Sequence, residues 1–226
     1  MEMPETGKRR SEKTRAAILA AAEAVFAEHG YDGARVDTIA EVSGYNKTLI
    51  FRYFGDKLGL YVEVLRRADS EVSALQRGVY TRLLEDESML VEADKFRALL
   101  KTAVGTMIDY MQEHPRIMRI ILWEHAEGWQ TMEKIISQFE PNDIRQMEAI
   151  FARARKAGLL RPDLDVTALP LLMIQICWSY PTMLPLYQQA LPERDYSSVS
   201  GRAYMREQII NFIVNGIMLD SADTAP

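Results

Sequence analysis

Apolar positions recur along most of this chain at three- and four-residue intervals, the spacing of helices with one buried face. Between residues 11 and 29, Ile18, Leu19, Ala22, Val25 and Phe26 share one side, and Gly30 follows as a helix stop. A second helix is predicted over 36–43. A third starts after Asn46, a good N-cap, and ends near Gly55. Asp56 opens a long fourth helix that reaches about residue 80. Further helices are predicted over 92–113, 115–127, 129–157, 165–189 and 202–219. Pro115 suits a first helical position, and Gly158 closes the helix before it. No alternating strand pattern or internal repeat is present. The predicted fold class is all-α, with a flexible basic arm at 1–10, a small three-helix unit at 11–58 and a larger helical region at 59–226.

The segment from Val36 to Lys57 carries the most specific chemistry. A short helix, a turn centred on Gly44 and a second short helix form the layout of a helix-turn-helix, whose second helix enters the DNA major groove. At 100° per residue, Leu49, Ile50, Tyr53 and Phe54 fall on one side of that helix, and Lys47, Thr48, Phe51 and Arg52 on the other. Ile50 and Phe54 suit packing under the two preceding helices. Lys47 and Arg52 suit guanine edges or phosphates, Thr48 permits close approach to a base, and Phe51 suits a thymine methyl. Tyr53 lies at the boundary, where its hydroxyl reaches toward phosphate. Lys57, in the first turn of the next helix, stands at the positive dipole end, a poor position for stability but a good one for holding phosphate.

The matching residues are Ile39-Ala40, Gly44, the stretch from Lys47 to Phe54, and Lys57. Through them and the helix before them, the segment resembles the DNA-binding domain of the TetR family of bacterial transcriptional regulators. The resemblance implies DNA contacts from the start of the second helix, from the recognition helix and from Lys57. The candidate DNA-binding residues are therefore Arg35, Thr38, Tyr45, Asn46, Lys47, Thr48, Phe51, Arg52, Tyr53 and Lys57. Three positions depart from the family pattern. Arg35 stands where Ser or Thr is frequent, Leu49 where Thr is frequent, and Phe51 where Tyr is frequent. Each change removes a neutral phosphate donor, so an operator sequence does not carry over from relatives.

Charge adds to this picture. The net charge of −5 is unusual for a DNA binder, but it is unevenly distributed. Residues 8–15 (KRRSEKTR) carry a local +4, and residues 1–60 balance at nine against nine. A local basic segment suffices for phosphate contacts while the remainder stays acidic. A single cysteine, Cys177, excludes an internal disulfide framework and suits a reducing cytoplasm. No secretory leader is read at the N-terminus.

The larger region reads as a ligand-binding and dimerisation domain. Its last helix has apolar residues in three adjoining rows, wider than one core needs. With the apolar helix near 169–187, it predicts a four-helix interface between two copies, as the resemblance also implies. Ile209, Ile213, Gly216 and Ile217 are the candidate interface residues. A two-fold dimer would read a palindromic operator with half-sites about 34–36 Å apart. For an effector site, whose existence rests on the resemblance, the candidates are Met107, Met111, Trp123, His125, Trp129, Phe151, Gln175, Trp178, Tyr180 and Met183. Such a lining suits an apolar or aromatic effector, or a cation held against indole faces.

Other chemistry is weakly represented. His114, Glu124, His125 and Glu127 lack metal-ligand spacing, and Cys177 has no charged activator nearby. No phosphate-cradling loop or nucleophile elbow is present, so neither enzyme, cofactor nor metal is expected. The uncharged stretch from Val166 to Pro192 is long enough to cross a bilayer, but its prolines and polar residues favour a buried soluble helix. The expectation is a cytoplasmic, ligand-responsive regulator, most simply a repressor. Its partners are double-stranded DNA, a second copy and an unknown small molecule, with no membrane. The alternatives are an architectural DNA-binding protein without effector and a membrane-attached regulator.

Overall fold

Helical spacing is realised as ten α-helices among the described residues of a computed structural model, which are 5–139 and 142–219. In chain order they are α1 (Glu5–Gly33), α2 (Val36–Ser43), α3 (Lys47–Phe54), α4 (Lys57–Glu85) and α5 (Ala93–Glu113). There follow α6 (Pro115–Ala126), α7 (Gln130–Ile135), α8 (Asn142–Lys156), α9 (Leu169–Ala190) and α10 (Val199–Ile217). Short 3-10 turns occupy Glu87–Leu90 and Ile136–Gln138. The described residues hold no strand, only one antiparallel bridge between Leu160 and Met218.

Two expectations about elements are corrected. The arm at 1–10 is helical from Glu5 onward, because Glu5, Lys8, Arg9 and Arg10 favour helix and outweigh Thr6 and Gly7; residues 1–4 lie outside the described ones. The single helix expected over 129–157 is broken. Trp129 is left-handed (φ 63°), and Phe139 is extended (φ −113°, ψ 129°).

The chain forms two compact units whose limits differ from the boundary expected at 58/59. The first comprises Met1–Glu71 and His114–Phe139, and the second Val72–Glu113 and Glu140–Pro226. The first unit therefore includes α6 and α7 along with the helix-turn-helix. Its core joins Ile18, Ala22, Val25 and Phe26 of α1 to Ile39, Ile50, Leu60, Tyr61 and Val64, and also to Ile117 and Ile120 of α6. Burying one such side chain contributes about 1.5–3 kcal/mol. Gly30 breaks α1 with φ 67° and ψ −179°, a conformation open to glycine. The indole of Trp123 lies against it, 3.1 Å from where a Cβ would stand, and Trp123 Nε1 donates to the Ala27 carbonyl at 3.2 Å.

In the second unit α5 packs against α9 and α10. Arg206 of α10 donates twice to Asp109 of α5, at 2.7 and 2.8 Å. The helix α9 is long and apolar enough to cross a membrane by length and composition. It turns Leu169, Met173, Cys177 and Tyr180 into the unit and leaves Leu171, Leu172, Leu186 and Tyr187 exposed.

Candidate DNA interface and ligand cavity

The helix-turn-helix is built by three local devices. Gly44 takes a left-handed conformation (φ 74°) and its N–H caps α2 through the carbonyls of Ala40 and Glu41. The Asn46 side chain accepts from the Leu49 N–H at 2.8 Å and starts α3. Asp56 Oδ1 accepts from the Gly59 N–H at 2.7 Å and starts α4. With these ends fixed, Ile50 and Phe54 are buried, and Lys47, Thr48, Phe51 and Arg52 form one exposed face. Phe51 is 37% exposed, an unfavourable place for a phenyl ring unless something covers it.

The remaining candidates surround this face unequally. Arg35 is exposed at the N-cap of α2 and makes no side-chain cap there. Thr38, Tyr45 and Tyr53 are half-buried. The Tyr53 hydroxyl shares a 2.9 Å hydrogen bond with Ser11 Oγ, and the Tyr45 hydroxyl accepts from Thr14 at 3.5 Å, so both rings tie α1 to the reading element. Lys47 Nζ donates to Asp37 Oδ2 at 3.0 Å and lies 5.9 Å from the Phe51 ring centre. Asp37, a carboxylate on the neighbouring helix and not among the sequence candidates, is thus a further residue of this face. Lys57 Nζ sits 4.6 Å over the Tyr31 ring and donates to the Asp32 carbonyl at 3.3 Å. Burial lowers the pKa of Lys57, opposed by the negative charge of Asp32.

The same unit contains a buried carboxylate. Glu124 is 1% exposed and accepts from the Tyr61 hydroxyl at 2.6 Å and the Met132 N–H at 2.9 Å. Its carbonyl accepts from the Trp129 N–H at 2.7 Å, which closes the turn between α6 and α7. Burial first, and then the bond to Glu124, raise the pKa of Tyr61, so its hydroxyl stays a donor. His114 pairs with Glu71 at 3.4 Å, and His125 meets the Trp129 ring edge-on at 5.9 Å. Among the described residues no three His, Cys, Asp or Glu side chains gather as a metal site.

A cavity of about 90 Å³ opens in the second unit. Its wall comes from α4 (Leu75, Gln76, Val79, Leu83), α5 (Phe96, Leu99, Leu100, Ala103, Val104, Thr106, Met107), α8 (Met147, Ile150, Phe151) and α9 (Met173, Ile174, Cys177). Of the ten candidate ligand residues, Met107 and Phe151 line it. Trp123, His125 and Trp129 belong to the first unit, because α6 packs on α1. Met111 is buried without reaching the lining, Gln175 is exposed, and Tyr180 donates to the Tyr196 carbonyl at 3.1 Å. Trp178 and Met183 are half-buried outside the lining. No indole lines the cavity; the aromatic rings in its wall are Phe96 and Phe151. Burial pushes the Cys177 thiol up to about 12.

The expected interface residues are also redistributed. Ile209, Ile213 and Ile217 are buried within their own chain, because that row of α10 meets α5 and α9. Gly216 is exposed, one turn from Phe212 at 71% exposure, and Tyr204 nearer the start of α10 is 60% exposed.

An exposed polar and aromatic face on the second helix of a helix-turn-helix, held over a buried apolar base, defines a DNA-reading protein of the regulator class. The bacterial regulatory proteins of the tetR family match residues 18–64, and the tetracyclin repressor-like C-terminal domain matches residues 97–213, just over half of the chain. The chain belongs to the TetR family of bacterial transcriptional regulators. It is similar to the HTH-type transcriptional repressor SCO4008 of Streptomyces coelicolor, 33% identical over 116 residues, which are 51% of this chain and 52% of that protein. It is 26% identical over 188 residues to the HTH-type transcriptional repressor NicS of Pseudomonas putida, covering 80% and 82% of the two chains. A TetR-family regulator from Marinobacter aquaeolei shares the fold with a TM-score of 0.68 at 17% identity, over 94% of this chain and all of that one.

Proposed function

We propose that this protein is a ligand-responsive transcriptional repressor whose homodimer binds a palindromic operator in the cytoplasm. The observation that carries the reading is the exposed quartet Lys47, Thr48, Phe51 and Arg52, fixed over buried Ile50 and Phe54. Lys47 and Arg52 donate to base edges or phosphates, Phe51 covers a thymine methyl, and Lys57 holds a phosphate from the start of α4. Repression, the sign taken in this reading, is the one named for the relatives SCO4008 and NicS.

The dimer surface in this reading is the exposed apolar side of α9 and α10, with Leu171, Leu172, Phe212 and Gly216 at its centre. Exposed leucines and a phenylalanine on two neighbouring helices favour coverage by a second copy.

The effector is a small, largely apolar molecule bound among α4, α5, α8 and α9. The lining carries no charged side chain, and its polar groups are Gln76, Thr106 and the protonated Cys177. Moving an ion there without a counter-charge costs several kcal/mol, so the effector is uncharged. Because α4 supplies both Lys57 and one wall of the cavity, enlargement of the cavity acts directly on α4. An effector that prefers the DNA-unfit state by about 1–3 kcal/mol releases the operator roughly 5–150-fold.

The test is selection of bound duplexes from a random pool with wild type and Lys47→Ala in parallel. A palindrome enriched by the wild type and altered or lost in the variant supports the reading. Enrichment of no sequence by the wild type favours an architectural DNA-binding protein instead.

A further inference from the structure

Lysine is badly placed in the first turn of a helix, where the dipole repels its charge. At Lys57 two neighbours offset this. The Asp32 carbonyl accepts one of its N–H bonds at 3.3 Å, and the face of Tyr31 lies 4.6 Å below the ammonium. Tyr31 is itself wedged. Its ring meets Tyr61 at 5.0 Å and 63°, and lies over Phe26 at 6.3 Å and 18°, while Tyr61 meets Phe26 edge-on at 4.9 Å. The Tyr61 hydroxyl is then held by buried Glu124 at 2.6 Å. The ring beneath Lys57 is thus packed into the rigid core of the unit.

We propose that Tyr31 is a positioning residue for the DNA backbone: its ring face holds the Lys57 ammonium on one side, so that a donor on the opposite side meets one phosphate oxygen. This rests on the reading of Lys57 as a phosphate ligand. A free lysine side chain loses rotamer freedom on binding, whereas one already seated on a ring and a carbonyl loses less. The carboxylates of Asp32 and Asp56, which face Tyr31, repel phosphate and make seating of the ammonium the more necessary. Asp56 is engaged by the Gly59 N–H.

The discriminating measurement is the salt dependence of binding to sonicated mixed-sequence duplex DNA, since each phosphate contact contributes about 0.9 to the slope of log K against log salt. Lys57→Ala is expected to lower the slope by that amount, so that affinity falls about 3.5-fold less between roughly 50 and 200 mM salt. Tyr31→Leu is expected to do the same, Tyr31→Phe to keep the wild-type slope, and the Lys57→Ala/Tyr31→Leu double variant to match Lys57→Ala alone. A purely structural role for Tyr31 would lower affinity or Tm while keeping the slope. That result, or a second increment of slope in the double variant, overturns the proposal and leaves Lys57 as a phosphate ligand. An unchanged slope in Lys57→Ala overturns both. A further check needs no variant: the Lys57 ε-methylene protons of the wild type are expected upfield of an ordinary lysine because they lie over the ring. Their absence there overturns the proposal.

Discussion

The Tyr61 hydroxyl donates to Glu124 Oε1 at 2.6 Å, a charge-assisted bond with an acceptor that is 1% exposed. Removing a single oxygen by Tyr61→Phe leaves that carboxylate with the Met132 N–H as its remaining partner among these contacts. The variant is expected to lose about 1.5–3 kcal/mol of stability, read from urea unfolding. Combining it with Glu124→Gln is expected to cost less than the sum of the single changes, because both act on one bond.

The two faces of α10 predict opposite phenotypes. Phe212→Asp is expected to convert dimer to monomer in sedimentation velocity while the monomer keeps its fold, since Phe212 is 71% exposed. Ile213→Ala removes a core side chain that is 3% exposed and is expected to cost about 2–5 kcal/mol in thermal or urea melts. Dimers persisting in Phe212→Asp would rule out this surface.

The uncharged cavity predicts discrimination by charge. Among 4-phenylbutanol, 4-phenylbutanoate and 4-phenylbutylammonium, the alcohol is expected to displace the neutral dye N-phenyl-1-naphthylamine at least about tenfold better, a difference of about 1.4 kcal/mol. Ala103→Phe, which fills the lining, is expected to abolish binding of the dye while leaving DNA affinity unchanged. Equal displacement by the carboxylate would refute the neutral-effector assignment.

Cys177 is buried, and its thiol titrates at about 12. At pH 8 only about one thiol in 10,000 is thiolate, so alkylation by iodoacetamide is expected to be negligible in the native protein and rapid once urea unfolds it. Because burial raises the pKa, reactivity in the folded state is expected to appear only as pH climbs toward 12. Mass spectrometry of pulse-alkylated samples gives both rates.

The reading helix was legible because its signals are local. Asn46 caps it, Gly44 turns into it, and its own periodicity separates Ile50 and Phe54 from Lys47 and Arg52. The apolar stripe of α6 was equally legible, but a stripe does not name its partner. Ile117 and Ile120 pack on α1, and the Trp123 indole finds a carbonyl 96 residues away. On α10 the breadth of apolar surface was readable, whereas which row faced inward depended on α5 and α9. The turn at Trp129 was hidden because a bulky residue rarely adopts positive φ; the buried Glu124 carboxylate and carbonyl hold it there. The cavity lining was not legible because its wall is built largely of Leu, Val, Met and Phe on four helices, residue types that equally fill a closed core.

The first compact unit is assembled from two stretches of chain separated by 42 residues of the other, Val72–Glu113. An N-terminal fragment ending at Glu71 would keep the whole reading motif yet lose Ile117, Ile120, Trp123 and Glu124, leaving bare the side of α1 and the Tyr61 hydroxyl that they cover. The DNA-reading part is therefore not a portable module. A chimaera that exchanges sensing regions between relatives must take α6 and α7 with the N-terminal helices, so the natural crossover points fall within α4 after Glu71, after Glu113 and after Phe139, and not at the start of α4.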